Sequence, residues 1–275
     1  MAHLGRMIKR FLSALALSIL SVSSISAQQV TEKPIRGEIL QGWQQADGTR
    51  IAALKLTLAP GWKTYWRSPG DTGIPPQFDW SKSSNLRSVG ITWPAPYVYR
   101  DRGVTTIGYK DVLVLPFAIT PVNPDAPTEL WARVDLGVCK DVCIPHQMTL
   151  NAVIDDDSTI PTPAIAAALA ARPLSAQEGR VSSAKCSLKP NSYGMEIRAD
   201  VVMPSLGGRE VVVIEPGLSD IWMSETDVSR EGDQLTATGD LAAIDGGALV
   251  LEQSDITITV LGASQAVEID GCQLG

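Results

Sequence analysis

The sequence predicts an all-β protein made of two β-sandwich-like modules. Short runs rich in aliphatic and β-branched residues alternate with Gly- and Pro-containing segments between residues 35 and 154. The same pattern returns after residue 176. Between them lies a single Ala-rich stretch with helical character, residues 164–171. These observations favour two small β domains joined by a linker.

The first 27 residues have the features of a secretory signal peptide. Basic residues precede an apolar run at residues 11–20, and small residues lead to Ala27. This run is shorter than the roughly 20 residues of a membrane-spanning helix. We expect cleavage after Ala27 and a soluble mature chain, with an uncleaved anchor as the alternative.

The charge of the mature chain argues against nucleic acid as a partner. The whole sequence has 23 basic and 30 acidic residues, and three of the basic ones belong to the predicted signal. Cleavage would therefore leave 20 basic and 30 acidic residues, a net charge of −10. A nucleic-acid-binding surface requires clustered positive charge, which this balance does not favour.

The modules follow in order along the chain. In the first module, residues 28–155, strands are predicted at residues 50–58, 112–119, 130–136 and 148–154. Residues 156–175 carry acids, prolines and the Ala-rich stretch, which predicts a linker with a short helix. In the second module, residues 176–275, strands are predicted at residues 194–202, 209–214, 249–251, 256–260 and 266–269.

Residues 61–109 are dense in Trp, Tyr, Pro and Gly. Such a segment is typical of aromatic side chains that pack over a small β core or stiffen a loop. An aromatic platform for sugar binding is the alternative.

Four cysteines in an exported chain predict disulfides, and four cysteines allow three pairings. Proximity in sequence favours Cys139 with Cys143 and Cys186 with Cys272. In the chain-entropy model the longer loop removes about 4 to 5 kcal/mol of unfolded-state freedom and the shorter one only about 2. The long bridge is therefore expected to be structural. The short one lies between two predicted strands near a hairpin turn, where a partner can reach it, although it could also be structural.

His146 is the one histidine outside the predicted signal, three residues past Cys143. It could tune the cysteine thiolate, complete a copper or zinc site with Cys139 and Cys143, or do neither. Lys140 favours a neighbouring thiolate and Asp141 opposes it, so local charge does not identify the nucleophile.

Several ordered motifs resemble one known family. They are Gly-Trp-Lys-Thr-Tyr-Trp-Arg-Ser-Pro-Gly-Asp at residues 61–71, Trp-Pro-Ala-Pro at 93–96, Gly-Tyr-Lys-Asp at 108–111 and Val-Cys-Lys-Asp-Val-Cys-Ile-Pro at 138–145. Together they resemble the periplasmic N-terminal domain of the DsbD and ScsB family of disulfide reductases, over about residues 35–155. The second module more loosely resembles the other β domain of ScsB-like members.

This resemblance implies an immunoglobulin-like domain, followed here by the second, smaller β-sandwich-like domain. It also implies a role in the periplasm, where the domain receives electrons and reduces disulfides of substrate proteins. By the same resemblance Cys143 is the nucleophile and Cys139 the resolving thiol. An aromatic cap loop shields the pair in that family, and Tyr97, Tyr99 and Tyr109 are the candidates for it here.

The resemblance also bears on partners. DsbD-type proteins continue into a membrane domain and a thioredoxin-like domain, and neither is found before Gly275. We therefore expect a separate electron donor, either a membrane thiol transporter of the DsbD/CcdA type or a thioredoxin-like protein. Thiol exchange needs no bound cofactor. The alternatives are a copper-binding protein of the copper-tolerance kind, using Cys139, Cys143 and His146, and a binding module without redox turnover.

Overall fold

The structure is a computed structural model of the chain, and it describes residues 33–274 except 71, 102, 156–157, 193, 219, 248 and 250. The predicted signal peptide, residues 1–27, lies outside the described residues. In the part that is described, no helix is long and apolar enough to cross a membrane. Strands dominate the regular structure, which confirms the predicted all-β class.

The first module contains ten of the described strands. In chain order these are β1 Ile35–Gln44, β2 Arg50–Leu58, β3 Lys63–Tyr65, β4 Gln77–Asp79, β5 Leu86–Ile91, β6 Tyr97–Asp101, β7 Val104–Lys110, β8 Val112–Pro121, β9 Thr128–Cys139 and β10 Cys143–Ile154. One sheet has the order β1-β2-β8-β5, and the other has the order β10-β9-β3-β7-β6, with β4 also paired to β9. The four strands predicted in this module correspond to β2, β8, β9 and β10.

The two sheets form an immunoglobulin-like sandwich around an apolar core. Alternate residues of β9 point inward, so Val134, Leu136 and Val138 are buried while Arg133 is exposed. The aromatic segment contributes directly to this core, where Trp66 is fully buried and Trp80 packs against Phe117 at a ring distance of 5.4 Å. The expectation that these aromatic residues pack over a small β core is confirmed.

A single α-helix, α1 (Pro163–Ala170), is present among the described residues. It begins with a proline in its first turn, where a missing N–H costs nothing because that group has no partner within the helix. Its buried Ile165 packs against Ile51 and Ala53 on the outer face of β2. The helix therefore docks on the first module.

The second module has two further sheets. Its strands are β11 Leu174–Ser175, β12 Ser183–Pro190, β13 Met195–Val202, β14 Val211–Glu215, β15 Ile221–Met223, β16 Asp227–Glu231, β17 Gln234–Ala243, β18 Thr257–Leu261, β19 Ala266–Asp270 and β20 Gln273–Leu274. The sheet orders are β11-β19-β18-β14 and β15-β17-β13-β12-β20, with β16 paired to β17. Four strands predicted here correspond to β13, β14, β18 and β19.

The prediction of a strand at residues 249–251 is wrong for Leu249 and Leu251, the two residues of this run that the structure describes. Leu249 and Leu251 lie outside the strands. Both side chains pack against the second core, which contains Ile256 and Ile258. Partial burial of the two leucines explains why this short apolar run resembles a strand in the sequence.

The two modules share an apolar contact and an ion-pair cluster. Leu261 and Ala266 of the second module belong to the core cluster of the first. Beside them, Arg67 Nε and Nη2 donate to the Glu215 carboxylate at 2.9 and 2.7 Å, and Nη2 also donates to Glu268 at 2.6 Å. Burial alone would lower the pKa of Arg67, but its contacts with the two carboxylates raise the pKa above its usual value. The guanidinium is therefore a fixed positive charge between the modules.

Candidate functional site

Cys139 and Cys143 form a disulfide at the tip of the β9–β10 hairpin. Cys139 is the last residue of β9 and Cys143 is the first of β10, and the two are direct partners in the antiparallel register. Their Cα atoms are 4.1 Å apart and the sulfur atoms are bonded. The tight turn at residues 140–142 is held by a hydrogen bond from Lys140 N–H to the Val142 carbonyl at 3.3 Å. The hairpin therefore places both sulfur atoms on one face of the sheet.

The two cysteines differ sharply in exposure. Cys139 is buried, with 5% of its surface accessible, whereas Cys143 is exposed at the start of the edge strand. Thiol–disulfide exchange needs a straight approach of one sulfur to another, so accessibility decides which sulfur a partner can attack. Of the two, Cys143 is the one that a partner can reach.

Tyr65 supplies a hydroxyl group to both sulfur atoms. Its Oη lies 2.6 Å from Cys139 Sγ and 3.1 Å from Cys143 Sγ. A disulfide sulfur carries no hydrogen, so the phenol must be the donor. Burial raises the pKa of Tyr65, which keeps the phenol protonated at neutral pH. The same O–H group can donate to a thiolate when the bridge is reduced.

Glycines on both sides of Tyr65 make room for its ring. A Cβ atom added to Gly137 would lie 3.0 Å from the Tyr65 ring and 2.8 Å from Ile74 Cβ. A Cβ atom on Gly73 would lie 3.0 Å from the other edge of the ring. Residues 72–75, which we call the cover segment, therefore pass against Tyr65 and Gly137 through Gly73 and Ile74.

Tyr97 and Tyr99, two of the three cap-loop candidates, lie on β6, at the edge of the sheet that carries the cysteines. Tyr97 is 58% exposed, and the Lys110 ammonium lies 5.7 Å from its ring centre. Tyr99 is half-buried beneath the Lys63 ammonium, 4.6 Å from its ring centre. Burial, followed by the nearby Tyr97 and Asp111, raises the pKa of Tyr99 to about 12. Among the described residues, the hydroxyl that hydrogen-bonds to the sulfur atoms belongs to Tyr65 and to neither of these two tyrosines.

The third candidate, Tyr109, is in the core and cannot cap the disulfide from outside. It is 4% exposed and its hydroxyl donates to the Pro94 carbonyl at 2.7 Å. The reason is its register: Tyr109 pairs with Thr64, which points inward, so both side chains face the core. The side chain that does lie next to both sulfur atoms is Tyr65, which the sequence did not identify as a site residue.

The side chain of His146 points away from the two cysteines. It follows Cys143 by three residues on one strand, so the two side chains point to opposite faces of the sheet. Its register partner is Leu136, which points into the core. Within the described residues, no group of three His, Cys, Asp or Glu side chains is arranged to hold a metal ion.

The second bridge has a different environment. Cys186 on β12 and Cys272 before β20 form a disulfide across 86 residues. Both cysteines are 2% exposed and belong to the second core. Apolar side chains therefore surround these sulfur atoms.

A cleft of about 1060 Å³ opens between the modules, lined by residues such as Pro69, Gly73, Glu215 and Trp222. Its lining includes neither cysteine. Cys143 is therefore exposed at the end of the hairpin and outside this cleft, where another protein can reach it without entering a pocket.

Comparison with known proteins points to one family. Residues 36–154, which include Cys139 and Cys143, match the family model described as thiol:disulfide interchange protein DsbD, N-terminal. The chain is also similar to the crystal structure of the N-terminal periplasmic domain of ScsB from Proteus mirabilis, with a TM-score of 0.64 and 23% sequence identity. That likeness covers 88% of this chain and 93% of the other, and supports the fold of both modules. No curated protein sequence matches the chain.

Proposed function

We propose, from the premise that residues 36–154 form a domain of the DsbD N-terminal family, that this protein passes reducing equivalents from a dithiol donor to substrate disulfides through Cys139 and Cys143. One observation carries the proposal. An exposed cysteine is bonded to a buried one, and a protonated phenol lies within hydrogen-bonding distance of both sulfur atoms.

The proposed roles of the two cysteines follow from the exposure of Cys143 and the burial of Cys139. In the reduced protein the Cys143 thiolate attacks one sulfur of a substrate disulfide, and the other substrate sulfur leaves as a thiolate. Cys139 then attacks the Cys143 sulfur, which releases the second substrate thiolate and re-forms the Cys139–Cys143 bridge. Two electrons have moved to the substrate. A dithiol donor, either a membrane thiol transporter or a thioredoxin-like protein, reverses these steps to restore the reduced pair.

Tyr65 has a positioning and electrostatic role in this proposal. A hydrogen bond to a charged acceptor is roughly twice as strong as one between neutral groups, so the phenol stabilises the thiolate more than the thiol. This lowers the pKa of the thiol and makes it a better leaving group. The residue does not exchange electrons.

We further propose that the protein acts in the periplasm and that residues 28–155 are its redox domain. The signal-like character of residues 1–27 supports this location, as does a fold shared with a periplasmic domain. Residues 156–175 would then be the linker, whose last two residues form β11 at the edge of a sheet of the second domain, residues 176–275. The Cys186–Cys272 bridge would stabilise that domain.

The test uses single-cysteine variants and oxidised glutathione. Reduced Cys139→Ala should stop at one glutathione attached to Cys143, whereas the reduced wild-type protein should regain its bridge and release two molecules of glutathione. The matched control, Cys143→Ala, should react far more slowly because Cys139 is buried. Mass spectrometry of quenched samples follows both reactions. Equal rates at Cys139 and Cys143 would contradict the assigned roles.

A further inference from the structure

Two lysines lie in the same row of side chains as the disulfide. Lys63 is the register partner of Lys110 on one side and of Cys139 on the other, and Cys139 is the partner of Cys143. Direct partners on antiparallel strands have Cβ atoms about 4.5 to 5.5 Å apart and point to the same face. The row Lys110, Lys63, Cys139, Cys143 therefore crosses the strands β7, β3, β9 and β10 on the outer face of the sheet.

A third lysine adds to this positive surface. Lys140 follows Cys139 in the turn, and its stem folds back over Gly61, whose ideal Cβ position lies 3.2 Å from Lys140 Cε and 3.7 Å from Nζ. Gly61 lies two residues before Lys63, so the Lys140 ammonium is on the β3 side of the disulfide. We call these three residues the lysine row: Lys63 and Lys110, which lie in the row of side chains, and Lys140, which lies in the turn beside it.

The lysine row is held in place without being neutralised. Lys63 and Lys110 rest on the rings of Tyr99 and Tyr97 at 4.6 and 5.7 Å, which orients a cation but leaves its charge intact. In the described part of the chain, none of the three ammonium groups has a carboxylate within 4.0 Å. Asp111 and Asp141 are the acids next to them in sequence, and both are exposed.

The three lysines place positive charge on the face of the sheet that carries the disulfide, in a protein in which acids outnumber bases by 30 to 23. Charges at the rim of an interface steer a partner of opposite charge and exclude one of like charge. Apolar surface is available beside them, because Val142 is 69% exposed and Tyr97 is 58% exposed. Charge and apolar area together describe a surface suited to another protein.

We propose that the lysine row is the docking surface for the dithiol donor and selects one with carboxylates beside its own reactive cysteine. This inference rests on the proposed exchange at Cys143 and adds the chemistry of the partner. The tyrosines Tyr97 and Tyr99 then support the lysines from below, which gives the exposed aromatic edge of the sheet a role other than capping.

Charged dithiols provide the test because they carry the partner's charge without its shape. The rate of reduction of the Cys139–Cys143 bridge is measured at low salt with anionic dimercaptopropanesulfonate, neutral dithiothreitol and cationic dithiobutylamine. The quantity compared is the ratio of the anionic rate to the cationic rate. Comparing this ratio between variants cancels the intrinsic reactivities of the reagents.

Lys63→Gln and Lys110→Gln should each lower the ratio roughly threefold, because the two reagents differ by two unit charges and each lysine lies two or three strand spacings, about 12 Å, from Cys143 in water. Lys63→Arg keeps the charge and should retain the wild-type ratio. Lys189→Gln, at an exposed position on β12 in the second module, is the matched control and should change nothing. Salt at about 1 M, where the screening length is roughly 3 Å, should bring all variants to one ratio.

The outcomes separate the two proposals. If all three reagents reduce the bridge and the ratio is the same in wild type and the double variant Lys63→Gln/Lys110→Gln, exchange stands and the docking inference is wrong. If none of the reagents reduces the bridge in the folded protein, the proposed function fails and the inference fails with it.

Discussion

The two disulfides of this protein are the same chemical bond in opposite surroundings. Cys186 and Cys272 are both 2% exposed inside the second core, and they join segments 86 residues apart. Cys139 and Cys143 are four residues apart, one of them is exposed, and a phenol donates to both sulfur atoms. Under the proposed function, access and local hydrogen bonding, rather than the presence of a bridge, make the Cys139–Cys143 disulfide exchange-active and leave the Cys186–Cys272 disulfide structural.

The largest expected difference between the bridges is in stability. Cys186→Ala/Cys272→Ala should lower the free energy of unfolding by about 4 to 5 kcal/mol because the bridge closes a long loop in the unfolded chain. Cys139→Ala/Cys143→Ala should lower it by only about 2 kcal/mol. Urea unfolding of the two double variants measures both values. Equal losses, or a larger loss for the short bridge, would contradict the assignment of the long bridge as the structural one.

The next largest expected effect is a loss of stability when the packing around the Cys139–Cys143 bridge is changed. Gly137→Ala should destabilise the protein by about 1 to 3 kcal/mol, because the new methyl group lies 2.8 Å from Ile74 Cβ and must displace the cover segment or Tyr65. Gly90→Ala is the matched control, since a Cβ atom there meets no atom within 4 Å. Unfolding in urea compares the two, and a loss no greater for Gly137→Ala than for Gly90→Ala would show that this contact is not tight.

A smaller effect is expected from the phenol itself. Tyr65→Phe should raise the pKa of the reactive thiol by about one unit, or about 1.4 kcal/mol, because it removes a hydrogen bond that favours the thiolate. The pH dependence of alkylation by iodoacetamide in the reduced protein gives this pKa. Tyr109→Phe removes a buried phenol that bonds to the Pro94 carbonyl and should leave the thiol pKa unchanged. A thiol pKa that is the same in Tyr65→Phe and in the wild type would remove Tyr65 from the mechanism.

Much of the fold is predictable because its longer strands carry local patterns. The prediction of a strand at residues 50–58 matches β2 Arg50–Leu58, where consecutive aliphatic residues are buried. The short strands β3 and β4 were not predicted, since three residues do not establish an alternating pattern. They exist because β9 offers its backbone groups to both of them.

The candidate site was predictable only where its residues are close in sequence. The spacing of Cys139 and Cys143 between two apolar runs indicates a hairpin with facing cysteines, and the register contains that pair. Tyr65 is 74 residues from Cys139, and only the pairing of β3 with β9 brings the two together. His146 shows the converse, because it is three residues from Cys143 in sequence and the alternation of the strand turns it away from the site.

The most direct test of the central claim is the pair of reduction potentials in one folded molecule. Equilibration of the mature protein in glutathione buffers, followed by peptide mapping, gives a value for each bridge. We predict roughly −120 to −270 mV for Cys139–Cys143, within the range of exchange-active proteins, and a value below about −300 mV for Cys186–Cys272. A potential below about −300 mV for Cys139–Cys143 as well would contradict redox turnover and leave two structural bridges.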